Sequence, residues 1–239
     1  MPEGADGRQN TGSPMQVQAL LFDKDGTLFD FDETWSNWTV GIINDFANND
    51  AKVAQRIADT IDFDLATRAY RPTSPIIAGT NLEAAQLVVS ALPGSNVDEI
   101  ERYLSTSAAN APLAPVVPLV PLLTSFRGEG LKLGVMTNDS ESSARAQLTA
   151  AEAFDLFDFV AGHDSGFGEK PDPDPLLAFA AQVGIQPAQV AMVGDSTHDL
   201  LAGRRAGMRT VGVLTGPAVE AELSGYADVV LPHIGHLPD

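Results

Sequence analysis

Short apolar runs that stop abruptly at polar residues recur along this chain of 239 residues. Four such runs occupy 17–22, 131–136, 157–161 and 190–193. An apolar run of this length that leads into a polar loop is typical of a strand buried on both faces. Two further strands are predicted at 210–214 and 228–231. This pattern predicts a sheet whose strands all end in polar segments.

Segments with helical spacing separate these strands. They occupy 142–153, 175–183 and 199–206, and the last is followed by Gly207, a residue typical of helix ends. Strands that alternate with helices predict an α/β fold, a parallel sheet with helices on both faces. Ligands bind such sheets at the carboxyl ends of the strands. The polar residues that follow the strands are therefore the candidate functional residues.

One long stretch interrupts this alternation. Trp35, Trp38, Ile42 and Phe46 recur at helical spacing, and two further helices are predicted at 82–92 and 97–104. We therefore expect an inserted α-helical domain.

The predicted boundaries follow from this interruption. The inserted helical cap domain spans 31–115, and the α/β core comprises 15–30 and 116–239. The chain returns to the core through the proline-rich segment 111–118, which we interpret as a semi-rigid hinge. Residues 1–14 show no periodic apolar pattern and are expected to form a flexible leader.

Charge and composition limit the partners. The chain has 32 acidic and 14 basic residues, for a net charge of −18, which disfavours nucleic acid and anionic membranes. It has no cysteine, so thiolate catalysis and cysteine-bound zinc are excluded. Because neither a membrane-spanning run nor a secretory signal is recognisable, we expect a cytoplasmic protein.

Two pairs of carboxylates follow predicted strands. Asp23 and Asp25 come directly after the first, and Asp195 and Asp199 come after the fourth. One carboxylate of such a set can act as a nucleophile, and a second can exchange protons with a leaving group and with water. Four carboxylates at one edge of a sheet would repel each other unless a cation lay among them. Oxygen ligands favour Mg²⁺ over zinc or copper.

Three further polar residues complete the candidate site. Thr137 and Asn138 follow the second strand, and Lys170 lies in the loop after the third. A hydroxyl, loop amides and an ammonium group are suited to bind a phosphoryl group, because catalysis of its transfer depends on positioning and charge neutralisation.

These residues fall into four ordered motifs. The motifs are Asp23-Lys24-Asp25-Gly26-Thr27-Leu28, Thr137-Asn138, Lys170-Pro171-Asp172-Pro173, and Gly194-Asp195-Ser196 with Asp199. In this order they resemble the motifs of the haloacid dehalogenase-like hydrolase superfamily. The segments 203–208 and 211–216 further resemble its phosphoglycolate phosphatase-like branch. The resemblance implies a Rossmann-like core, a helical cap and a phosphatase that acts on a small phosphate monoester.

The resemblance also implies a role for each residue. Asp23 would attack phosphorus, and Asp25 would protonate the leaving alcohol and then activate water. The Asp23 carboxylate, the Asp25 backbone carbonyl and Asp195 would hold Mg²⁺, supported by Asp199. Thr137, Asn138 and Lys170 would bind the phosphoryl oxygens, and Thr27 would help to orient Asp25.

The substrate remains open at this point. Many relatives in this branch have lysine where this chain has Asp139, so a positive charge near the site is replaced by a negative one. We expect the cap to select the substrate, and its cationic candidates are Arg56, Arg68, Arg71 and Arg102. Two alternative functions also remain: a phosphosugar mutase, which shares the aspartate pair, and a non-catalytic phosphate-binding or signalling protein.

Overall fold

The computed structural model describes residues 17–71, 73–77 and 79–237. The leader predicted at 1–14 lies outside the described residues. Among the residues that are described, no helix combines the length and the apolar character needed to cross a membrane.

The core is a six-stranded parallel sheet in the order β5-β4-β1-β6-β7-β8. Its strands are β1 (Ala19–Phe22), β4 (Lys132–Met136), β5 (Phe159–Ala161), β6 (Val190–Gly194), β7 (Arg209–Val213) and β8 (Val229–Leu231). All four residues of β1 are buried, as expected for a central strand covered on both faces. The predicted α/β fold with a parallel sheet is confirmed.

Successive side chains of β1 point to opposite faces of the sheet. Leu20 and Phe22 belong to one apolar cluster, whereas Leu21 belongs to another. Phe126 packs in the first cluster and Phe179 in the second. The two clusters are the cores on either side of the sheet.

Within the described part of the chain, five α-helices flank the sheet. They are α5 (Leu119–Gly128), α6 (Glu141–Ala150), α7 (Asp174–Val183), α8 (Thr197–Ala206) and α9 (Glu220–Leu223). The helix predicted at 142–153 ends earlier, because Glu152 has a positive φ of 56°, which a right-handed helix does not accommodate. Gly207 ends α8 in the left-handed conformation, with φ 74°.

In the interrupting stretch, the residues that the structure describes form four helices and one short hairpin. The helices are α1 (Phe31–Ala47), α2 (Ala51–Thr60), α3 (Asn81–Ala91) and α4 (Val97–Ala108), and the hairpin pairs β2 (Phe63–Asp64) with β3 (Ala69–Tyr70). Their apolar side chains form a cluster of their own, separate from the clusters that flank the sheet. We propose that they constitute the cap predicted at 31–115, because a separate apolar core is the physical mark of a domain.

Polar side chains cap the N-termini of helices in this region. Thr80 and Glu83 form a reciprocal capping box at the start of α3, and Asp30 and Asn96 each accept a backbone N–H in the first turn of α1 and α4. These caps fix where α1 and α3 begin. Both helices thereby present residues to the carboxyl edge of the sheet.

Candidate active site

The predicted site residues meet at the carboxyl ends of three neighbouring strands. Asp23 follows β1, Thr137 follows β4 and Asp195 follows β6, and β1 lies between the other two strands. Lys170 comes from the loop between β5 and α7 and reaches the same place. The fold therefore collects residues that are up to 176 positions apart, from Asp23 to Asp199.

The turn after β1 requires glycine at position 26. Gly26 has φ 80°, in the region that L-residues with a side chain rarely adopt. A Cβ atom on Gly26 would also lie 2.4 Å from Oδ2 of Asp195. The turn thus brings the β1 loop into close contact with the acidic residue at the end of β6.

Three buried carboxylates form a compact group. Asp23, Asp195 and Asp199 can each offer an oxygen such that all three oxygens lie within 4.8 Å of one another. Burial raises the pKa of Asp23 to about 7, although the Lys170 ammonium opposes this shift. Burial and the charges of Asp23 and Asp199 raise the pKa of Asp195 well above its usual value. These repelling groups and their all-oxygen donor set fit a hard divalent cation such as Mg²⁺.

Lys170 joins two of these carboxylates. Its ammonium lies 2.5 Å from Oδ1 of Asp23 and 2.6 Å from Oδ1 of Asp199. Burial alone would lower the pKa of Lys170, but Asp199 and Asp23 raise it above its usual value. The Asn138 side chain accepts the Lys170 N–H at 2.9 Å and donates to the Lys170 carbonyl at 2.9 Å. Asn138 thus holds the backbone that delivers the ammonium.

Asp199 has a second function at the start of α8. Its Oδ2 accepts hydrogen bonds from the Ser196 N–H at 3.0 Å and from the Ser196 hydroxyl at 2.7 Å. Ser196 and Asp199 thereby form a capping box. Because Oδ1 remains on Lys170, the same carboxylate fixes both the helix and the lysine.

Asp25 faces a different set of partners. Its Oδ1 accepts the indole N–H of Trp35 at 2.9 Å, and its Oδ2 lies 2.7 Å from the Lys24 ammonium. Burial raises the pKa of Asp25, while Lys24 and the indole N–H oppose this shift. The Asp25 carboxylate therefore lies outside the three-carboxylate group, at the contact between core and cap.

Lys24 and Asp139 form a buried ion pair that the motif analysis missed. The Lys24 ammonium is fully buried, lies 3.2 Å from Oδ2 of Asp139 and also donates to the side chain of Gln147. Burial would raise the pKa of Asp139, but Lys24 and hydrogen bonds lower it. The negative charge of Asp139 near the site is thus paired with Lys24. The signal in the sequence was a lysine inside the first motif together with an aspartate after the second.

Several hydrogen bonds link this ion pair to the cap. Asn81, at the start of α3, donates to Oδ1 of Asp139 at 2.8 Å. Gln147 of α6 donates to the Ala108 carbonyl of α4 at 2.8 Å. The Lys24 ammonium also lies 5.4 Å from the centroid of the Trp35 ring, at cation–π distance. We call Lys24, Asp139, Gln147, Asn81 and Trp35 the core–cap junction.

The two predicted threonines have defined partners. The Thr27 hydroxyl lies 3.4 Å from Oδ1 of Asp195, so it contacts the carboxylate group and not Asp25, which we expected it to orient. The short turn after β1 explains the difference, because it directs Thr27 towards the end of β6. The Thr137 hydroxyl accepts the Asp139 N–H at 3.1 Å.

A cavity of about 100 Å³ connects the carboxylates with the cap. Asp23, Asp25, Thr137, Asn138 and Lys170 line its core side. The cap side is lined by aromatic and aliphatic residues of α1, β3, α3 and α4, Trp35 and Trp38 among them. The arginines considered for the cap contribute nothing to the described wall of this cavity.

Known proteins resemble this chain in sequence and in fold. The family model described as haloacid dehalogenase-like hydrolase matches residues 20–213. The protein named probable phosphatase IndB, of Dickeya dadantii, is 33% identical over 204 residues, which cover 82% of this chain and 81% of the relative. Phosphoglycolate phosphatase of Escherichia coli K12 is 38% identical over 94 residues, 39% of this chain and 37% of its own length. The crystal structure of β-phosphoglucomutase from Clostridium difficile covers 93% of both chains with a TM-score of 0.65 and 18% identity, which shows likeness of fold.

Proposed function

Because the chain belongs to the haloacid dehalogenase-like hydrolase family, we propose that it is an Mg²⁺-dependent phosphatase that hydrolyses a small phosphate monoester through an aspartyl-phosphate. The observation that carries this proposal is the group of three buried carboxylates beside Lys170, with Asp25 held separately under the cap. The relative named probable phosphatase, which aligns with most of this chain, supports the same reaction class.

The residues present fit a magnesium site. Asp23 and Asp195 would hold the ion through carboxylate oxygens and Asp25 through its backbone carbonyl, with Asp199 in support. When bound, Mg²⁺ supplies positive charge that offsets the repulsion among the acids and the charge of the phosphoryl oxygens. The net charge of −18 makes this local positive charge important, because the overall field opposes an anionic substrate.

Asp23 is the proposed nucleophile. Its Oδ1 is held by the Lys170 ammonium at 2.5 Å, which fixes the carboxylate and favours its ionised form. In the first half-reaction a bond forms between an Asp23 oxygen and phosphorus while the bond from phosphorus to the ester oxygen breaks. The leaving oxygen takes a proton from Asp25, so an alcohol departs.

Asp25 is the proposed acid and base. Burial raises its pKa, which favours the protonated form needed to donate to the leaving group. In the second half-reaction the ionised Asp25 takes a proton from water as the water oxygen attacks phosphorus. Cleavage of the bond between phosphorus and the Asp23 oxygen then releases phosphate. The two half-reactions sum to ester plus water giving alcohol plus phosphate.

The remaining residues would bind the phosphoryl oxygens. Lys170 supplies a cation on the cavity wall, and Thr137 and Asn138 supply polar groups beside it. Thr27 would act through its contact with Asp195, which keeps that carboxylate in place. The partner is a small-molecule phosphate ester, and absence of nucleic-acid or membrane binding and cytoplasmic location stay predictions.

Phosphate release from a panel of small phosphate monoesters, with and without Mg²⁺, tests this function. We expect turnover that requires the metal and disappears in Asp23→Asn. Magnesium-independent turnover, or an Asp23→Asn variant with unchanged activity, would contradict the proposal. Lack of turnover by folded protein with every ester and Mg²⁺ would reject it.

A phosphosugar mutase is the second candidate. The likeness of fold to β-phosphoglucomutase favours it, and a mutase would use the same aspartate pair to return the phosphoryl group to a sugar. A mutase needs a sugar bisphosphate for activity and releases little phosphate. Sugar phosphate isomerisation that depends on added bisphosphate would identify this activity, whereas stoichiometric phosphate release identifies the phosphatase.

A further inference from the structure

The cap side of the cavity offers an apolar surface to whatever group is attached to the phosphate. Its lining residues include Phe31, Trp38, Ile42, Tyr70, Ile76 and Leu104. Aromatic and branched aliphatic side chains of this kind bind apolar groups by contact and by exclusion of water. A few hydroxyls lie among them, such as those of Thr39 and Tyr70, which share a hydrogen bond at 2.6 Å.

Among the described residues that line the cavity, lysine and arginine are confined to the core side. Lys170 is the single lysine or arginine among the described residues that line the cavity, and its ammonium already contacts Asp23 and Asp199. The Lys24 ammonium is buried behind the wall in its pairs with Asp25 and Asp139. The described wall of the cap therefore has no charge that could pair with an anionic group of the substrate.

The four arginines considered for substrate recognition are exposed on the cap and line neither the cavity nor the cleft outside it. They are Arg56, Arg68, Arg71 and Arg102. Arg71 pairs with Asp62 at 3.1 Å, and Arg68 donates to Asn37 at 3.0 Å. These partners are not among the described residues that line the cavity or the cleft.

A cleft next to the cavity carries negative charge. It has a volume of about 660 Å³ and shares Lys170, Asp195 and His198 with the cavity. Its other lining residues include Glu83, Glu169 and Glu222. A substrate with a second anionic group would meet these carboxylates on approach and an apolar wall when bound, and both disfavour it.

We propose that the enzyme is specific for phosphate monoesters whose alcohol carries no negative charge and presents an apolar or aromatic body to the cap. This inference rests on the proposed phosphatase function and narrows its substrate class. It runs against 2-phosphoglycolate, because the carboxylate of that ester would enter a cavity whose described cap wall offers it no cation. The alcohol of a preferred substrate would instead replace water along that wall.

Three esters with the same phosphate-O-CH₂ group test this specificity. They are 2-phosphoglycolate, its methyl ester and benzyl phosphate, which place a carboxylate, a neutral ester and a phenyl ring at the same position. We expect kcat/KM for benzyl phosphate and for the methyl ester to exceed that for 2-phosphoglycolate by about tenfold or more. Equal or higher kcat/KM for 2-phosphoglycolate would overturn the inference while leaving the phosphatase function intact.

Charge placed on the wall gives a second test. Ile77 is half-buried and lines both the cavity and the outer cleft, so Ile77→Arg adds a cation where the alcohol would bind. We expect it to lower the preference for benzyl phosphate over 2-phosphoglycolate by about tenfold. The matched control is Leu82→Arg, which adds the same charge at an exposed position outside the cavity and should leave the preference unchanged.

The ratio of kcat/KM values within one variant does not depend on the fraction of folded enzyme, so partial misfolding does not obscure the result. If Ile77→Arg is insoluble, Ala84→Lys tests the same wall, because Ala84 is half-buried and lines the cavity from α3. A ratio unchanged in the wall variant would overturn the inference. We include p-nitrophenyl phosphate as a general phosphatase substrate. If the enzyme hydrolyses neither this compound nor any of the three esters, the phosphatase function and this specificity are both overturned.

Discussion

The two sides of the active-site cavity differ in how they are built. On the core side, carboxylates follow the strand ends, Lys170 reaches them from a loop and Lys24 lies behind the wall. These charged groups contact one another within hydrogen-bond distance. On the cap side, aromatic and aliphatic residues from a separate apolar cluster form the wall. The core side can hold a cation and a phosphoryl group, whereas the cap side can sort substrates by shape and polarity. We therefore propose that chemistry belongs to the core and substrate selectivity to the cap.

The core–cap junction is where the two sides meet. Trp35 and Asn81 come from the cap, and each donates to a carboxylate of the core, Asp25 and Asp139 respectively. Lys24 lies between these carboxylates. Because the proposed proton donor Asp25 contacts Trp35 and Lys24 of this junction, we expect that a change in the cap can alter the chemistry without touching the three carboxylates proposed to hold Mg²⁺.

Loss of the nucleophile should have the largest effect and should be confined to chemistry. We expect Asp23→Asn to lower kcat by about 10³-fold or more for every ester, because no covalent intermediate can form. Asp155→Asn, at an exposed position, is the control and should retain full activity. If the loss of kcat differed between neutral and anionic esters, it would contradict the assignment of chemistry to the core and of substrate selection to the cap.

Removal of the buried lysine should lower the stability of the fold. We expect Lys24→Met to lower the free energy of unfolding by about 3 kcal/mol, because it leaves Asp25 and Asp139 buried without their cation. Urea denaturation measures this loss. The double variant Lys24→Met/Asp139→Asn should be more stable than the single Lys24→Met variant, since the unpaired charge is removed as well. A double variant no more stable than Lys24→Met would show that the two residues do not act as a pair.

Replacement of Trp35 should slow the chemical step through the core–cap junction. Trp35→Phe keeps an aromatic ring but removes the N–H that contacts Asp25, and we expect kcat to fall by about tenfold with all esters. Trp38→Phe is the matched control, because its N–H contacts Ser107 in the cap. It should change KM more than kcat. Identical kinetic changes in both variants would contradict a link between Trp35 and proton transfer.

A loosened junction should have the smallest effect. Asn81→Ala removes the hydrogen bonds to Asp139 and Ser105, and we expect the free energy of unfolding to fall by about 1 kcal/mol. Asn110→Ala, which loses a bond to the Thr106 carbonyl on the exposed end of α4, controls for loss of an amide. Thermal unfolding compares the two. An Asn81→Ala variant as stable as the wild type would show that this contact contributes nothing to the junction.

Most of the core was predictable from local patterns. A strand that is buried on both faces needs a run of apolar residues, and such a run, for example 190–193, is visible in the sequence. The polar residues at the strand ends could be located from these runs. Helices α2 and α5 and the β2–β3 hairpin lie outside the predicted elements. The hairpin strands have two residues each, so they are too short for a periodic signal. The conformation of these two short strands depends on their packing in the folded protein.

The junction was not predictable for a different reason. Lys24 and Asp139 are separated by more than one hundred residues, and each alone resembles an ordinary loop charge. Their pairing follows from the neighbouring positions of β1 and β4 in the sheet. The same tertiary arrangement directs the Thr27 hydroxyl to Asp195 rather than Asp25. Contacts of this kind require the strand order, which local periodicity does not contain.

The most direct test of the account is to trap the phosphorylated enzyme. The protein would be mixed with benzyl phosphate and Mg²⁺, quenched in acid within one turnover and digested for mass spectrometry. We predict one phosphoryl group on Asp23, absent from Asp23→Asn and absent after the reaction is complete. Rapid turnover with a phosphoryl group on another residue, or with none at any time point, would contradict the assignment of Asp23 as the nucleophile.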